Sequence, residues 1–531
     1  MKISAREFFD GVLDPGSYHS WDREPIEIAV SLQYRSELAA AAERGGTDES
    51  VLTGEGLLRG RRVAIIACEF GFLAGSIGVA AAERIVTVIE RATSAGLPLL
   101  ASPTSGGTRM QEGTIAFVQM VKIAGAVAAH KSAGHPYLVY LRNPTMGGVF
   151  ASWGSLGHMT FAEPGALIGF LGPRVYEALY DRPFPEGVQV AENLYRNGVI
   201  DGVVPVRVFR RIAHRVLNVT VSAARREVSL AGESAGSERA AVESISAVIQ
   251  SDSAVTNGPG PGSVDETGSA DADSRSDAAW RSVRISRDPT RPGIRELLRQ
   301  VTDRVPLSGT GQGESDRTVV HALARLRGEP CVVFGHDRSG RNSENTMGPA
   351  ALREARRSMH LAAELRLPLV LVIDTAGAAL SKEAEERGLA PEIARCLADL
   401  VTLDTPTVSV LLGQGSGGGA LALLPADRVL AATHGWLAPL PPEGASAIVF
   451  RDTDHAPELA AAQRIRSADL LADGVVDRVV PEYPDAAVEP IDFARRMVAV
   501  IAAELSALRA EPVESLRADR RHRYRRLGLP G

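Results

Sequence analysis

The sequence predicts an α/β architecture in two similar halves. Three things point to it: an internal repeat, an alternation of strand-like and helix-like segments, and a composition able to build a core. LPLLASPTSGG (Leu97 to Gly107) matches LPLVLVIDTAG (Leu367 to Gly377) 270 residues further on. The glycine pair of NPTMGGVFAS (Gly147, Gly148) matches that of GQGSGGGALA (Gly418, Gly419) at 271, and GVIDGVVP (Gly198 to Pro205) matches GVVDRVVP (Gly474 to Pro481) at 276. Ordered matches at nearly constant spacing mean a duplicated unit with small insertions. The 531 residues are 45% apolar and 23% charged, which supplies a core and excludes wholesale disorder.

Each half reads in the same order. A short apolar run ends at a Gly-containing turn, and a helix-period segment follows (Ile115 to Ala129, or Ala390 to Leu400). A second strand, YLVYL or TVSVLL, leads into the glycine pair and another helix start. Strands alternating with helices imply crossover helices.

Between the halves the composition changes. From Ala231 to Ala279 there is no aromatic residue, and nine acidic against two basic side chains give the stretch a net −7. So little apolar surface cannot offset ordering entropy, which predicts a flexible linker at 231–280 between domains at 1–230 and 281–531. Ala240 to Gln250 within it keeps a helix-compatible composition.

Other classes are set aside on similar grounds. A net charge of −6 argues against a generally basic nucleic-acid-binding chain. Cys68, Cys331 and Cys396 stand too far apart for a disulfide framework or a four-cysteine zinc ribbon, and the histidines show no H-x-x-x-H spacing, so no metal site is expected. The charge-free stretch Thr405 to Ala426 holds five glycines and two prolines, a poor membrane helix. MKISAREFFDG has no apolar signal region, so a soluble cytoplasmic protein is expected.

Glycines after a strand and at a helix start let a ligand approach the backbone and leave unpaired N–H groups. Two such turns per half can bring two donors to one point, the geometry that holds an oxyanion. The plainer alternative is that these glycines serve tight turns alone; their repetition in both halves favours the oxyanion reading. Gly413-Gln414-Gly415-Ser416-Gly417-Gly418 satisfies G-x-G-x-x-G, but Asp427 falls too early for a dinucleotide site and Pro425 interrupts the helix. Gly232-Glu233-Ser234-Ala235-Gly236 has no strand before it, which argues against a hydrolase elbow, and no G-K-[ST] loop occurs.

SGGTRMQEG (Ser105 to Gly113), the stretch Asn143 to Val175 and FPEGVQVAENLYRNGVIDGVV resemble the carboxyltransferase β subunit of bacterial acetyl-CoA carboxylase. IDTAGA (Ile373 to Ala378), AEERG (Ala384 to Gly388), GQGSGGGALALLPADRV, PPEGASAIVF (Pro441 to Phe450) and the ending RRHRYRRLG resemble the α subunit of the same enzyme. The resemblance covers nearly everything outside the linker, in the order β then α. It implies two crotonase-like domains (the ClpP/crotonase ββα superhelix). The implied activity is transfer of a carboxyl group from carboxybiotin, on a separate carrier protein, to acetyl-CoA, giving malonyl-CoA. Propionyl-type carboxylases, a decarboxylase running the half-reaction backwards and a non-catalytic assembly partner are the rival readings.

Carried over residue by residue, Gly147 and Gly148 would hold the CoA thioester with Gly106 and Gly107 nearby. Gly418 and Gly419, with Gly377 and Ala378, would serve biotin, and Arg109 would meet CoA phosphates. Implied partners are biotin carboxylase, the biotin carboxyl carrier protein and a second copy of this chain. The family's site forms between facing chains, so a homodimer or larger dimer-based assembly is expected, with no membrane or nucleic acid. Three departures stand out. The family's zinc ribbon is missing from this sequence, Ala376 and Ala379-Leu380-Ser381 replace the usual turn, and Gly435 to Leu440 lacks the usual polar residues. The six arginines from Arg517 to Arg526 read as a solvated helix end or as an anion site.

Overall fold

Two sheets of the same strand order follow one another along the chain. In this computed structural model, residues 3–173, 176, 177, 182–232, 269–338 and 346–529 are described. The first sheet holds β1 (His19–Ser20), β2 (Val51–Leu58), β3 (Arg61–Cys68), β4 (Leu99–Ser102) and β5 (Tyr137–Leu141). β6 (Thr145–Met146) pairs apart with β8 (Ile168–Gly169), while β7 (Met159–Ala162) and β9 (Gly202–Val203) complete the first sheet beside β5. The second sheet runs β10 (Asp303–Leu307), β11 (Val319–Leu326), β12 (Glu329–His336), β13 (Leu369–Thr375), β14 (Thr407–Gly415), β15 (Arg428–Ala432) and β16 (Arg478–Val480). From β3 and from β12 onward every pairing is parallel.

Local chemistry explains the likeness. β2–β3 turn around Arg59-Gly60 and β11–β12 around Arg327-Gly328, all four residues at positive φ. A two-residue hairpin loop needs that left-handed backbone to match the twist of its strands. YLVYL and LVLVIDT are buried along their whole length, as parallel strands covered on both faces should be. The crossover helix Val79–Ser94 buries Ala81, Ala82, Ile85, Val86 and Ile89 on the first sheet, and Pro349–Leu365 does the same on the second.

One hydrophobic core runs through both halves. Helix Gly113–Ser132 packs on helix Leu389–Thr402 so closely that a Cβ on Gly125 would lie 2.9 Å from Val401 Cγ1. Thr114 Oγ1 donates across the same junction to the carbonyls of Leu437 (3.0 Å) and Gln463 (2.9 Å). Met110–Ser132 is long and apolar enough to cross a membrane, yet most of it is buried in this shared core.

The linker and the arginine tail gain detail here. Of the segment read as linker, 233–268 lies outside the described residues, including Ala240 to Gln250 and most of the G-x-S-x-G match. Its end is helical: Ser269–Ser286 carries Ala279 and Val283 into a cluster with Trp436 and Ile465, and Trp436 Nε1 donates to Ser286 Oγ at 2.8 Å. The arginine tail is divided: Arg517, Arg521 and Arg526 are exposed, while the other three are spent on carboxylates. Arg520 is buried and holds Asp427 with two 2.8 Å bonds, Arg523 holds Asp477, and Arg525 reaches the first half to grip Glu83 and Glu90.

Candidate active site

The parallel part of each sheet ends in two turns, after β4 and β5 in the first half and after β13 and β14 in the second, and all four open on one cavity of about 1310 Å³. Gly106, Gly107, Thr108, Gly147 and Gly148 line it from the first half, and Ala376, Gly377, Ala378, Gly417 and Gly418 from the second. Both halves of the chain line it.

Following the N–H groups shows what each glycine does. Gly106 N–H donates to Ala74 O (2.9 Å), Gly107 N–H to Ser105 Oγ (3.0 Å) and Gly147 N–H to Gly169 O (3.2 Å). In the second half Gly377 N–H is taken by Thr375 Oγ1 (3.1 Å) and Gly417 N–H by Ala438 O (2.9 Å). These glycines shape the turns, with φ near +122° and +139° at Gly107 and Gly377 and +64° and +63° at Gly147 and Gly417. Among the described residues, the N–H groups of Thr108 and Gly148 have no acceptor, nor do those of Ala378, Gly418 and Gly419.

The hydrogen bonds also reset the match between halves. Met146 donates to Ser105 O as Ser416 does to Thr375 O, and bridges Ile77–Thr108 and Met347–Ala378 correspond. The spacing is 270 throughout, so the counterpart of Gly148 is Gly418. Three consecutive glycines let the sequence match slide by one. Gly419 stands behind the wall, its Cβ position 3.3 Å from Ala378 N. Thr108 went unnamed in the sequence reading, although Ala378 lies 270 residues after it. Its hydroxyl is 3.0 Å from where a Gly148 Cβ would be.

The cleft walls are apolar. Phe117, Met120, Met146 and Ala151 flank the first N–H pair, and Phe170 and Ile393 the second. Of the positions that depart from the family's pattern, Ala376, Leu380, Pro439 and Leu440 belong to this apolar lining, and Trp436 is buried. Among the described residues no carboxylate, imidazole, thiol or ammonium lines the cleft, and Arg451 is its one charged side chain.

Arg109 does not face the cleft. It is 1% exposed, its guanidinium donates to both Glu49 oxygens (3.0 and 2.5 Å) and to Ser76 O (2.8 Å), and Glu112 lies 3.4 Å away. Glu112 in turn takes the Tyr34 hydroxyl (2.6 Å) and Val79 N–H (2.6 Å), seating the crossover helix. A buried arginine so engaged cannot turn to a phosphate without leaving Glu49 buried and unpaired.

A duplicated, crotonase-like α/β protein with a backbone N–H pair from each half in one cleft is the class this geometry defines. The comparisons narrow it. The carboxyl transferase domain family matches residues 2–210, and the acetyl co-enzyme A carboxylase carboxyltransferase-like family matches 274–528. A probable biotin-dependent acyl-coenzyme A carboxylase beta3 subunit of Mycobacterium tuberculosis is 61% identical over 530 residues, covering 100% of this chain and 99% of its own. The acetyl-coenzyme A carboxylase carboxyl transferase subunits beta/alpha of Salinispora tropica are 38% identical over 534 residues, covering 98% and 90%. Among solved structures, transcarboxylase 12S aligns at TM-score 0.36 and 19% identity over 96% of this chain and 90% of that one. The chain belongs to the biotin-dependent acyl-CoA carboxylase carboxyltransferase family.

Proposed function

We propose that this chain is the carboxyltransferase component that passes a carboxyl group from carrier-borne carboxybiotin to acetyl-CoA, giving malonyl-CoA. One observation carries the reading: a cleft with two sets of unpaired N–H donors and, among the described residues, no side chain able to act as base. Such a cleft suits a reaction in which both ligands develop charge on oxygen and the proton acceptor arrives with a ligand. Biotin, when bound, supplies the carboxyl group and then a basic ring nitrogen.

The chain's part is position and electrostatics. Thr108 and Gly148 N–H hold the thioester oxygen as negative charge grows on it. Ala378 with Gly418 holds the ureido oxygen, each donor contributing on the order of 3–4 kcal/mol at the transition state. The second set is available to a ureido oxygen because its N–H groups are unspent, and the missing Cβ of Gly418 lets Phe170 Cζ and Ile393 Cδ1 pack within 2.8 and 2.9 Å of that position. A separate biotin carboxylase and carrier, and a homodimer or larger assembly, belong to this proposal, as does a cytoplasmic location.

A second reading, another acyl-CoA as acceptor, is favoured by the methionine-walled space beside the first pair and by the 61% relative, named for acyl-coenzyme A. The test is the reverse reaction: the purified chain, a free biotin derivative and malonyl-CoA, with acetyl-CoA followed as product and methylmalonyl-CoA in parallel. Acetyl-CoA formation that vanishes in Gly148→Val and in Gly418→Val supports the proposal. Faster turnover of methylmalonyl-CoA moves the assignment to the longer acyl chain, and no turnover of either leaves the non-catalytic partner.

A further inference from the structure

Glu385 lies in the short helix Lys382–Glu386 of the second half, yet its bonds go to the first. Its Oε1 accepts the N–H of Phe170 (2.8 Å), the N–H of Leu171 (3.4 Å) and Nε2 of Gln189 (2.7 Å). The side chain is 5% exposed, and among the described residues no cation pairs with it. Burial pushes its carboxyl above the usual carboxylate range. A buried carboxylate held by neutral donors alone is costly unless the donors are well fixed, which ties the position of each to the others.

What it holds is a wall of the cleft. Phe170 and Leu171 both line the cavity, and the Phe170 ring fills the space beside Gly418. One residue earlier, Gly169 O accepts the Gly147 N–H, and Met146 pairs with Gly169 between β6 and β8. The segment 168–171 thus touches the first glycine turn through its backbone, the second through the Phe170 ring, and the second half through Glu385.

We infer that Glu385 is a positioning residue for carboxyl transfer: by accepting the Phe170 and Leu171 N–H groups it fixes the wall that spaces the two N–H pairs across the cleft. The inference rests on the functional reading above. All three bonds end on one oxygen, so an amide in the same place keeps them, whereas a methyl group cannot.

The test compares Glu385→Ala, Glu385→Gln and wild type in the full chain, by kinetics and by backbone hydrogen exchange. Glu385→Ala is expected to lower kcat about 100-fold, the effect of a misplaced wall, with KM for acyl-CoA changed less than about threefold. Exchange should rise at 168–172 while β3 to β5 stay protected. Glu385→Gln is expected to restore kcat to within about threefold and to restore protection at 168–172. Wild-type kcat in Glu385→Ala, unaltered exchange at 168–172, or an equal loss in Glu385→Gln would each overturn the inference. A wild-type chain that moves no carboxyl group sinks the functional reading instead, and the exchange difference then still judges whether Glu385 holds the wall.

Discussion

The two N–H pairs are built by the same backbone device and differ in what surrounds them. The first, at Thr108 and Gly148, is walled by Phe117, Met120, Met146 and Ala151, all from its own half. The second, at Ala378 and Gly418, takes one wall, Phe170, from the other half. The first pair is therefore complete wherever the first half is folded, and the second only where the halves are docked. The difference teaches that duplication preserved the donors and left the walls free to diverge, so ligand preference lives in side chains that the repeat does not predict.

The largest effects come from forcing a side chain into the wall packed against each donor pair. Gly148→Val drives its side chain at Thr108 Oγ1 and Met120, and Gly418→Val at Phe170 and Ile393. Each should cost at least about 100-fold in transfer. Gly148→Val should also abolish acyl-CoA binding, while Gly418→Val leaves it intact, as calorimetry with acyl-CoA alone will read. Equal loss of binding in both would erase the division between the pairs.

A finer cut tests the 270 spacing. At Gly418 an added methyl meets an aromatic ring at 2.8 Å, but at Gly419 its tightest contact is the flexible end of Met347 at 2.9 Å. Gly418→Ala should therefore lose about tenfold more transfer rate than Gly419→Ala. The opposite ranking would return the correspondence to Gly419.

Docking is the next handle. Arg525 holds Glu83 with two 2.6 Å bonds and Glu90 at 2.9 Å, so Arg525→Ala should cost about 1–2 kcal/mol. It should weaken turnover more than acyl-CoA binding. Denaturant unfolding with parallel calorimetry will show whether both fall together, which would deny the second pair its dependence on docking.

The smallest effect is confined to the first half. Burial holds the His130 imidazole down to about 4, with Nδ1 2.9 Å from Thr93 Oγ1. The unfolded chain takes up that proton near pH 6.5, so this contribution to stability is full above 6.5 and is lost as pH falls towards 4. His130→Gln should shrink the acid-induced drop in melting temperature by about 3 °C. An unchanged slope would mean that His130 takes up its proton alike in the folded and unfolded chain, and the assignment would fail.

How much of this was legible follows from what each feature depends on. The strand order, the crossover helices and the glycine turns are local patterns repeated twice, and they could be read. Arg59-Gly60 and Arg327-Gly328 carry a further repeat that a search for hairpin turns would have found. Thr108 was hidden because a backbone donor leaves no mark on its own side chain, although Ala378, 270 residues on, pointed to it. Arg109 misled because a motif arginine reads the same whether it faces solvent or Glu49, and only burial decides. Glu385 stood within the recognised AEERG stretch, but its partners lie some two hundred residues away, and such pairings are set by docking.

The grip of Arg525 on Glu83 joins residues 442 positions apart. At a synthesis rate of about 5–20 residues per second, Glu83 emerges roughly 20 to 90 s before its partner exists. Among the described residues of the first half, Lys122 is the cation paired with it, at 3.3 Å. The helix face that carries Glu83 therefore gains this staple to the second half only after Arg525 has been made.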